Sequence, residues 1–139
     1  DESNLLFLYL KKNMPKNWKI CSLNNMTEKK IALNLNKSKI FLSFSEFEGF
    51  GRPPLEAAIA GNKVIGYHGE GGKEFMKGPI FTIIERGNLL KFAKTIINNI
   101  GKKIDAKKQK KQIKKLINSY SKENEIKSIN KYLKYIKSY

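Results

Sequence analysis

The spacing of hydrophobic positions changes along the chain and predicts helices alternating with strands. The first apolar run, Leu5–Leu10, follows acidic and serine residues and precedes two lysines and Pro15, which favours a helix. Trp18–Leu23 then has the composition of a strand. Thr27 is placed to cap a helix that continues to about Asn36.

The middle of the chain has the pattern of a parallel sheet. Residues 39–45 are apolar at nearly every position, which is typical of a strand covered on both faces. A helix is predicted from Pro53 to Ala60, strands at residues 63–67 and 80–85, and an amphipathic helix at 88–100. This alternation predicts an α/β fold, with a Rossmann-like parallel sheet and helices on both faces.

The chain changes character at Lys102. Lysines crowd a helical stretch up to Lys115, and a last helix is predicted from about Ser121. One stripe of that helix is apolar: Ile126, Ile129, Leu133 and Ile136. Such a stripe needs a surface to pack on, either on this domain or on a partner domain. We therefore divide the chain into a Rossmann-like domain, residues 1–101, and a basic helical C-terminal extension, residues 102–139.

Composition narrows the class of protein. The chain has 139 residues, 40% of them hydrophobic, which is too many for a disordered segment. The single cysteine, Cys21, excludes an internal disulfide and a cysteine-cluster metal site, and its apolar neighbours predict a buried structural thiol. One histidine, His68, argues against a histidine-based metal site and against a catalytic triad. We see no membrane-spanning run and no signal peptide, and a cytoplasmic location is predicted.

The net charge of +16 belongs mostly to the C-terminal end. Residues 87–139 hold 15 lysines and only three acidic residues. A basic surface favours anionic partners, although lysine-rich helices are often just solvated and part of the charge agrees with the codon bias of an AT-rich genome. The late tyrosines fall partly on the apolar stripe, so core packing is predicted for them and nucleic-acid binding is not. Peripheral association with the inner face of a membrane stays an alternative.

Candidate chemistry concentrates in the segment EGFGRPPLE, Glu48 to Glu56. It follows a strand, at the end of parallel strands where ligands collect, and it opens a helix. The glycines let the backbone approach a ligand closely, and N–H groups at a helix start suit phosphate. The prolines cannot donate, so the donors have to come from Gly49 to Arg52.

Glu56, in the first predicted turn, can accept hydrogen bonds from a vicinal diol such as a ribose, or can merely complement the helix dipole. Glu48 can equally be a solvated loop acid.

The stretch FLSFSEFEGFGRPPLEAAIAGNKVIGYHGEGGKEF, residues 41–75, resembles the C-terminal domain of GT-B fold glycosyltransferases with the Glu-x7-Glu signature, which retain anomeric configuration. Glu48 and Glu56 match the two glutamates, and Gly49, Phe50 and Gly51 match the loop between them. The resemblance covers roughly residues 18–100.

The resemblance implies a nucleotide-diphosphate sugar as donor, bound without a metal. Glu56 would bind the ribose, and Glu48, the candidate catalytic residue, would contact the sugar. Backbone amides of Gly49, Phe50 and Gly51 would meet the diphosphate or the sugar, and Gly71 and Gly72 of the later glycine-rich loop are assigned to the same site. The acceptor would bind mainly to an N-terminal domain.

The sequence departs from the family pattern in three places. Arg52 replaces the usual leucine and either contacts phosphate or lies exposed. Glu74 follows the glycines one residue early, so its equivalence to the family's acid is in doubt. The first strand, the basic pair that neutralises the diphosphate and the N-terminal acceptor domain precede Asp1 in the family, so we expect this polypeptide alone to be inactive. Three alternatives to a glycosyltransferase remain. The chain can be a non-catalytic nucleotide-sugar-binding module, a GT-B-like sugar-nucleotide epimerase, or a basic membrane- or nucleic-acid-binding protein. His68 is either a plain loop residue or a ligand contact.

Overall fold

The computed structural model describes residues 2–47 and 49–137 as an α/β arrangement of a three-stranded sheet and helices. The strands are β1 (Ile40–Ser43), β2 (Lys63–Gly66) and β3 (Phe81–Ile83). They pair in the order β1-β2-β3, and both pairs are parallel. The register places Ile40 beside Lys63 and Val64 beside Phe81. The predicted parallel sheet is therefore confirmed.

Six α-helices accompany the sheet within the described residues. They are α1 (Glu2–Asn13), α2 (Glu28–Lys37), α3 (Arg52–Ile59), α4 (Leu89–Asn99), α5 (Ala106–Tyr120) and α6 (Lys122–Lys137). A short 3₁₀ helix, Gly71–Glu74, lies between β2 and β3. Short polar side chains cap four of these helices. The N–H groups of Lys30, Lys91, Lys108 and Asn124 donate to Thr27, Asn88, Asp105 and Ser121, respectively.

Two hydrophobic clusters cover the two faces of the sheet. Successive residues of a strand point to opposite faces, and in β2 Val64 belongs to one cluster and Ile65 to the other. The cluster around Val64 is completed by α2, α3 and α5, through Leu35, Leu55 and Leu116 among others. The cluster around Ile65 is completed by α1 and α4. Helices therefore lie on both faces, as the sequence predicts.

A buried asparagine joins two of these helices. Asn62 is fully buried just after α3, and its side-chain amide donates to the carbonyls of Leu35 (2.9 Å) and Ala57 (3.2 Å). Its own N–H donates to Ala57 as well (3.0 Å). These bonds satisfy carbonyls at the ends of α2 and α3, so the polar side chain holds the two helices together inside an apolar layer.

Two predictions made for the segment before α2 are wrong. Residues 18–23 form no strand, because their backbone makes no ladder with β1, β2 or β3, although Ile20 packs on the cluster around Ile65 and Leu23 on the opposite cluster. Cys21 consequently lies exposed rather than buried, with weak contacts from its thiol to Ser22 and Asn34.

The two C-terminal helices differ in how they pack. α5 buries Leu116 and part of Ile113 and Tyr120 against the cluster around Val64. α6 leaves its apolar stripe in solvent, with the side chains of Ile126, Ile129, Leu133 and Ile136 between 47% and 52% exposed. Tyr132 and Tyr135 are exposed too, so the core packing predicted for them is wrong, and Tyr139 lies outside the described residues. The stripe does not pack on this domain.

Candidate functional site

The carboxyl ends of the three parallel strands meet at one edge of the sheet. Across this edge the Ser43 hydroxyl donates to the carbonyl of Tyr67 (2.7 Å), and the Gly87 N–H donates to the Tyr67 hydroxyl (3.4 Å). An ion pair between Arg86 and Glu46 (2.5 Å) joins the loop after β3 to the loop after β1. The three loops therefore form one surface, in the place where open α/β sheets bind ligands.

The two glycine-containing segments meet at this edge. A methyl group on Gly71 would lie 2.1 Å from the carbonyl oxygen of Gly49 and 2.6 Å from Cα of Phe50. Contacts this short are impossible for a side chain, so only glycine permits the two backbones to approach so closely. The loop before α3 and the 3₁₀ helix after β2 consequently pack against each other, and the candidate residues of both segments share one site.

The start of α3 presents its backbone to this site. Gly51, the residue before the helix, has a left-handed backbone (φ +69°) and no capping side chain. Pro53 and Pro54 have no N–H, so Gly51 and Arg52 supply the free donors of the first turn. In the described part of the chain, no backbone acceptor contacts the N–H groups between Gly49 and Arg52.

Arg52 and Glu56 lie one turn apart on the exposed side of α3. The helix begins at Arg52, one residue earlier than predicted, so Glu56 opens the second turn rather than closing the first. Their side chains are 78% and 49% exposed, and the Arg52 guanidinium lies 3.4 Å from a Glu56 carboxylate oxygen. Arg52 is thus exposed and paired with Glu56. An exposed i,i+4 pair of this kind contributes only about 0.3–0.5 kcal/mol, so a ligand can replace it at little cost.

Gly72 and His68 are the remaining candidate residues that the structure describes, and both belong to the segment after β2. Glu48, predicted to contact the sugar, lies outside the described residues. Gly72 is buried against Met76, and its N–H donates to the carbonyl of His68 (3.0 Å). His68 is half-buried in the loop after β2, with its ring Nδ1 against the carbonyl of Gly69.

Phe50 anchors the glycine loop in a cluster of aromatic rings. Its ring centroid lies 5.8 Å from that of Phe75 and 5.2 Å from that of Tyr120, which also contacts Phe75 at 5.8 Å. Burial raises the pKa of the Tyr120 hydroxyl, and the charge of Glu74 raises it further. The last turn of α5 therefore supports the candidate loop, a role that the sequence pattern did not predict.

Arg86 is the residue at this edge that sequence reasoning missed. Besides its ion pair with Glu46, its guanidinium lies 5.7 Å from the ring centroid of Phe47. A basic residue directly after a predicted strand was the signal, because strand ends in a parallel sheet share an edge.

Within the described residues, no group of three or more His, Cys, Asp or Glu side chains is arranged to hold a metal ion. No helix there is long and apolar enough to cross a membrane.

Comparisons of the chain with protein-family models, curated proteins and solved structures give no match. The structure itself shows an α/β protein with a parallel three-stranded sheet and helices on both faces. Any assignment of activity depends on the residues at the carboxyl edge and on the resemblance described above.

Proposed function

We propose that this chain provides the donor-binding site of a retaining GT-B glycosyltransferase, which transfers a sugar from a nucleotide-diphosphate sugar to an acceptor. The observation that carries the proposal is the close packing of Gly71 on Gly49 and Phe50 at the start of α3. It joins the two segments that the resemblance assigns to the donor, one turn from the exposed carboxylate of Glu56.

The arrangement supports a division of roles within the site. The free N–H groups between Gly49 and Arg52 would hold the diphosphate, aided by the positive end of α3. Glu56 would accept hydrogen bonds from the ribose, and its guanidinium partner Arg52 would then turn toward phosphate. Glu48 is proposed to contact the sugar. The protein would contribute positioning and electrostatic stabilisation without a metal, and a cytoplasmic location is part of the proposal.

A titration with nucleotide sugars tests the site. UDP-, GDP- and ADP-glucose are added to the chain, and amide NMR shifts and melting temperature are recorded. One of them is expected to shift the amides of residues 49–52 and to raise the melting temperature, because a ligand of the folded state stabilises it by about 2.7 kcal/mol at 100 times its Kd. If none of the three changes either observable, the donor pocket is not there.

The Glu56→Ala variant then tests the ribose contact. Charged hydrogen bonds contribute about 1.5–3 kcal/mol each, so losing them is expected to weaken binding by about tenfold or more. Glu28→Ala is the control, since Glu28 is an exposed helical glutamate in the first turn of α2. Equal affinities for the wild type and Glu56→Ala would refute the role of Glu56, even if the donor binds.

A further inference from the structure

A groove of about 420 Å³ lies between α5 and the turn at residues 77–79, next to the aromatic cluster that supports Phe50. Its floor is apolar and is formed mainly by Phe75, Pro79, Leu116 and Tyr120. Its rim is basic, with Lys108, Lys111 and Lys115 on the α5 side and Lys77 on the opposite side, against one acidic residue, Glu74. The groove is therefore apolar at its base and strongly positive at its mouth.

Two glutamines fix the wall of this groove. Gln109 donates to the carbonyl of Gly61 (2.8 Å). Gln112 donates to the carbonyl of Lys77 and accepts from the N–H of Ile80 (3.1 Å). The bonds of Gln112 attach α5 to the opposite wall of the groove, and the bond of Gln109 attaches the same helix to the residue after α3. The backbone spacing between α5 and Lys77 is therefore set by the fold.

The lysines of α5 separate into two faces of the helix. Lys108, Lys111 and Lys115 follow the i, i+3, i+7 spacing of one face and line the groove. Lys107, Lys110 and Lys114 have the same spacing on another face and do not line it. All six side chains are exposed. Half of the lysines of α5 therefore surround the apolar floor, and the other half do not.

We propose that this groove binds a phosphate ester that carries an apolar group. The lysines would contact the phosphate oxygens, and the apolar group would cover Pro79 and Tyr120, the residues of the floor that keep exposed surface. The ester can be a soluble alkyl phosphate or the headgroup of an acidic lipid, since both present the same chemistry. The lysines that carry this proposal are not among the residues assigned to the donor, although Phe75 and Tyr120 of the floor also contact Phe50.

Two triple variants test the groove on the whole chain. One replaces Lys108, Lys111 and Lys115 by Gln, and the other replaces Lys107, Lys110 and Lys114 by Gln. Both remove three positive charges from exposed positions of the same helix, so their net charge and stability stay matched. Binding is measured by NMR titration with hexyl phosphate and with inorganic phosphate, and by cosedimentation with phosphatidylcholine vesicles with and without phosphatidic acid.

The groove variant is expected to lose about tenfold in affinity for hexyl phosphate, and the control variant less than about twofold. Lys77→Gln, on the opposite wall, is expected to weaken binding as well. If the groove variant loses more binding than the control variant only with phosphatidic acid vesicles, the result would support the groove with a membrane lipid as its ligand. Equal losses in the two triple variants would overturn the proposal, because they would indicate attraction to net charge. Equal affinities for hexyl phosphate and inorganic phosphate would also overturn the proposal. A short RNA that binds more tightly than hexyl phosphate, and whose binding both triple variants weaken equally, would overturn it too.

Discussion

α5 and α6 are neighbouring helices of similar length and composition, yet only α5 packs on the domain. Both are rich in lysine and both have an apolar stripe. α5 buries Leu116 to 5% exposure, whereas Leu133 of α6 remains 47% exposed. The side chains of Gln109 and Gln112 also bond to backbone of the domain. Amphipathicity therefore predicts that a helix has a face to bury, and the surface that receives that face has to come from elsewhere in the structure.

The largest expected effect comes from truncating one leucine in each helix. Leu116→Ala is expected to lower the free energy of unfolding by about 2–5 kcal/mol, because it removes buried methyl groups from a packed cluster. Leu133→Ala is expected to change it by less than about 0.5 kcal/mol, since its side chain is half in solvent. Urea denaturation of both variants measures the two values. Similar losses in the two variants would mean that α6 is buried in solution.

A smaller effect is expected from the polar anchor of α5. Gln112→Ala removes the acceptor of the half-buried Ile80 N–H and the donor to the Lys77 carbonyl, which is expected to cost about 1–3 kcal/mol of unfolding free energy. Asn130→Ala on α6 is the matched change at an exposed polar position and is expected to be neutral or slightly stabilising, because alanine has the higher helix propensity. If both substitutions prove neutral in urea denaturation, the glutamine does not hold α5 in place.

The smallest effect concerns the pH dependence that α5 confers. Burial raises the pKa of Tyr120 in the folded chain, and Glu74 adds to this, so folding favours the neutral phenol. The stabilisation is complete below the ordinary tyrosine pKa of about 10 and is lost as pH rises through the folded pKa. Tyr120→Phe is expected to lose less stability than the wild type between neutral pH and about pH 11. Identical losses in thermal unfolding would show that this phenol does not contribute.

The elements predicted best are those whose sequence carries its own start and stop signals. α2 begins after Thr27, α4 after Asn88, and both end within a residue or two of the predicted positions. Residues 18–23 carry no such signals, and a strand exists only where another strand lies beside it. That information is not local, so the apolar composition of the segment predicts a strand although its backbone pairs with none of the three strands.

The candidate site likewise has features that the local sequence predicts and features that it does not. The position of Gly51 before a helix and of Glu56 on that helix follows from the local pattern of glycines and prolines. The contact of Gly71 with Gly49, the support of Phe50 by Tyr120 and the ion pair of Arg86 with Glu46 join segments between 22 and 70 residues apart. Such contacts depend on how strands and helices pack, and a pattern along the chain does not contain them.

The contact between Gly71 and the carbonyl of Gly49 makes the two loops mechanically dependent on each other. With no room for even one extra carbon atom between them, a displacement of the first loop pushes directly on the 3₁₀ helix. That helix leads within one residue to Phe75, whose ring contacts Tyr120 at the end of α5. A change of shape at the start of α3 is thus expected to reach the end of α5 by two routes, through the 3₁₀ helix and Phe75 and directly through Phe50, whose ring contacts Tyr120. A spectroscopic label near Tyr120 would therefore report events at the sheet edge.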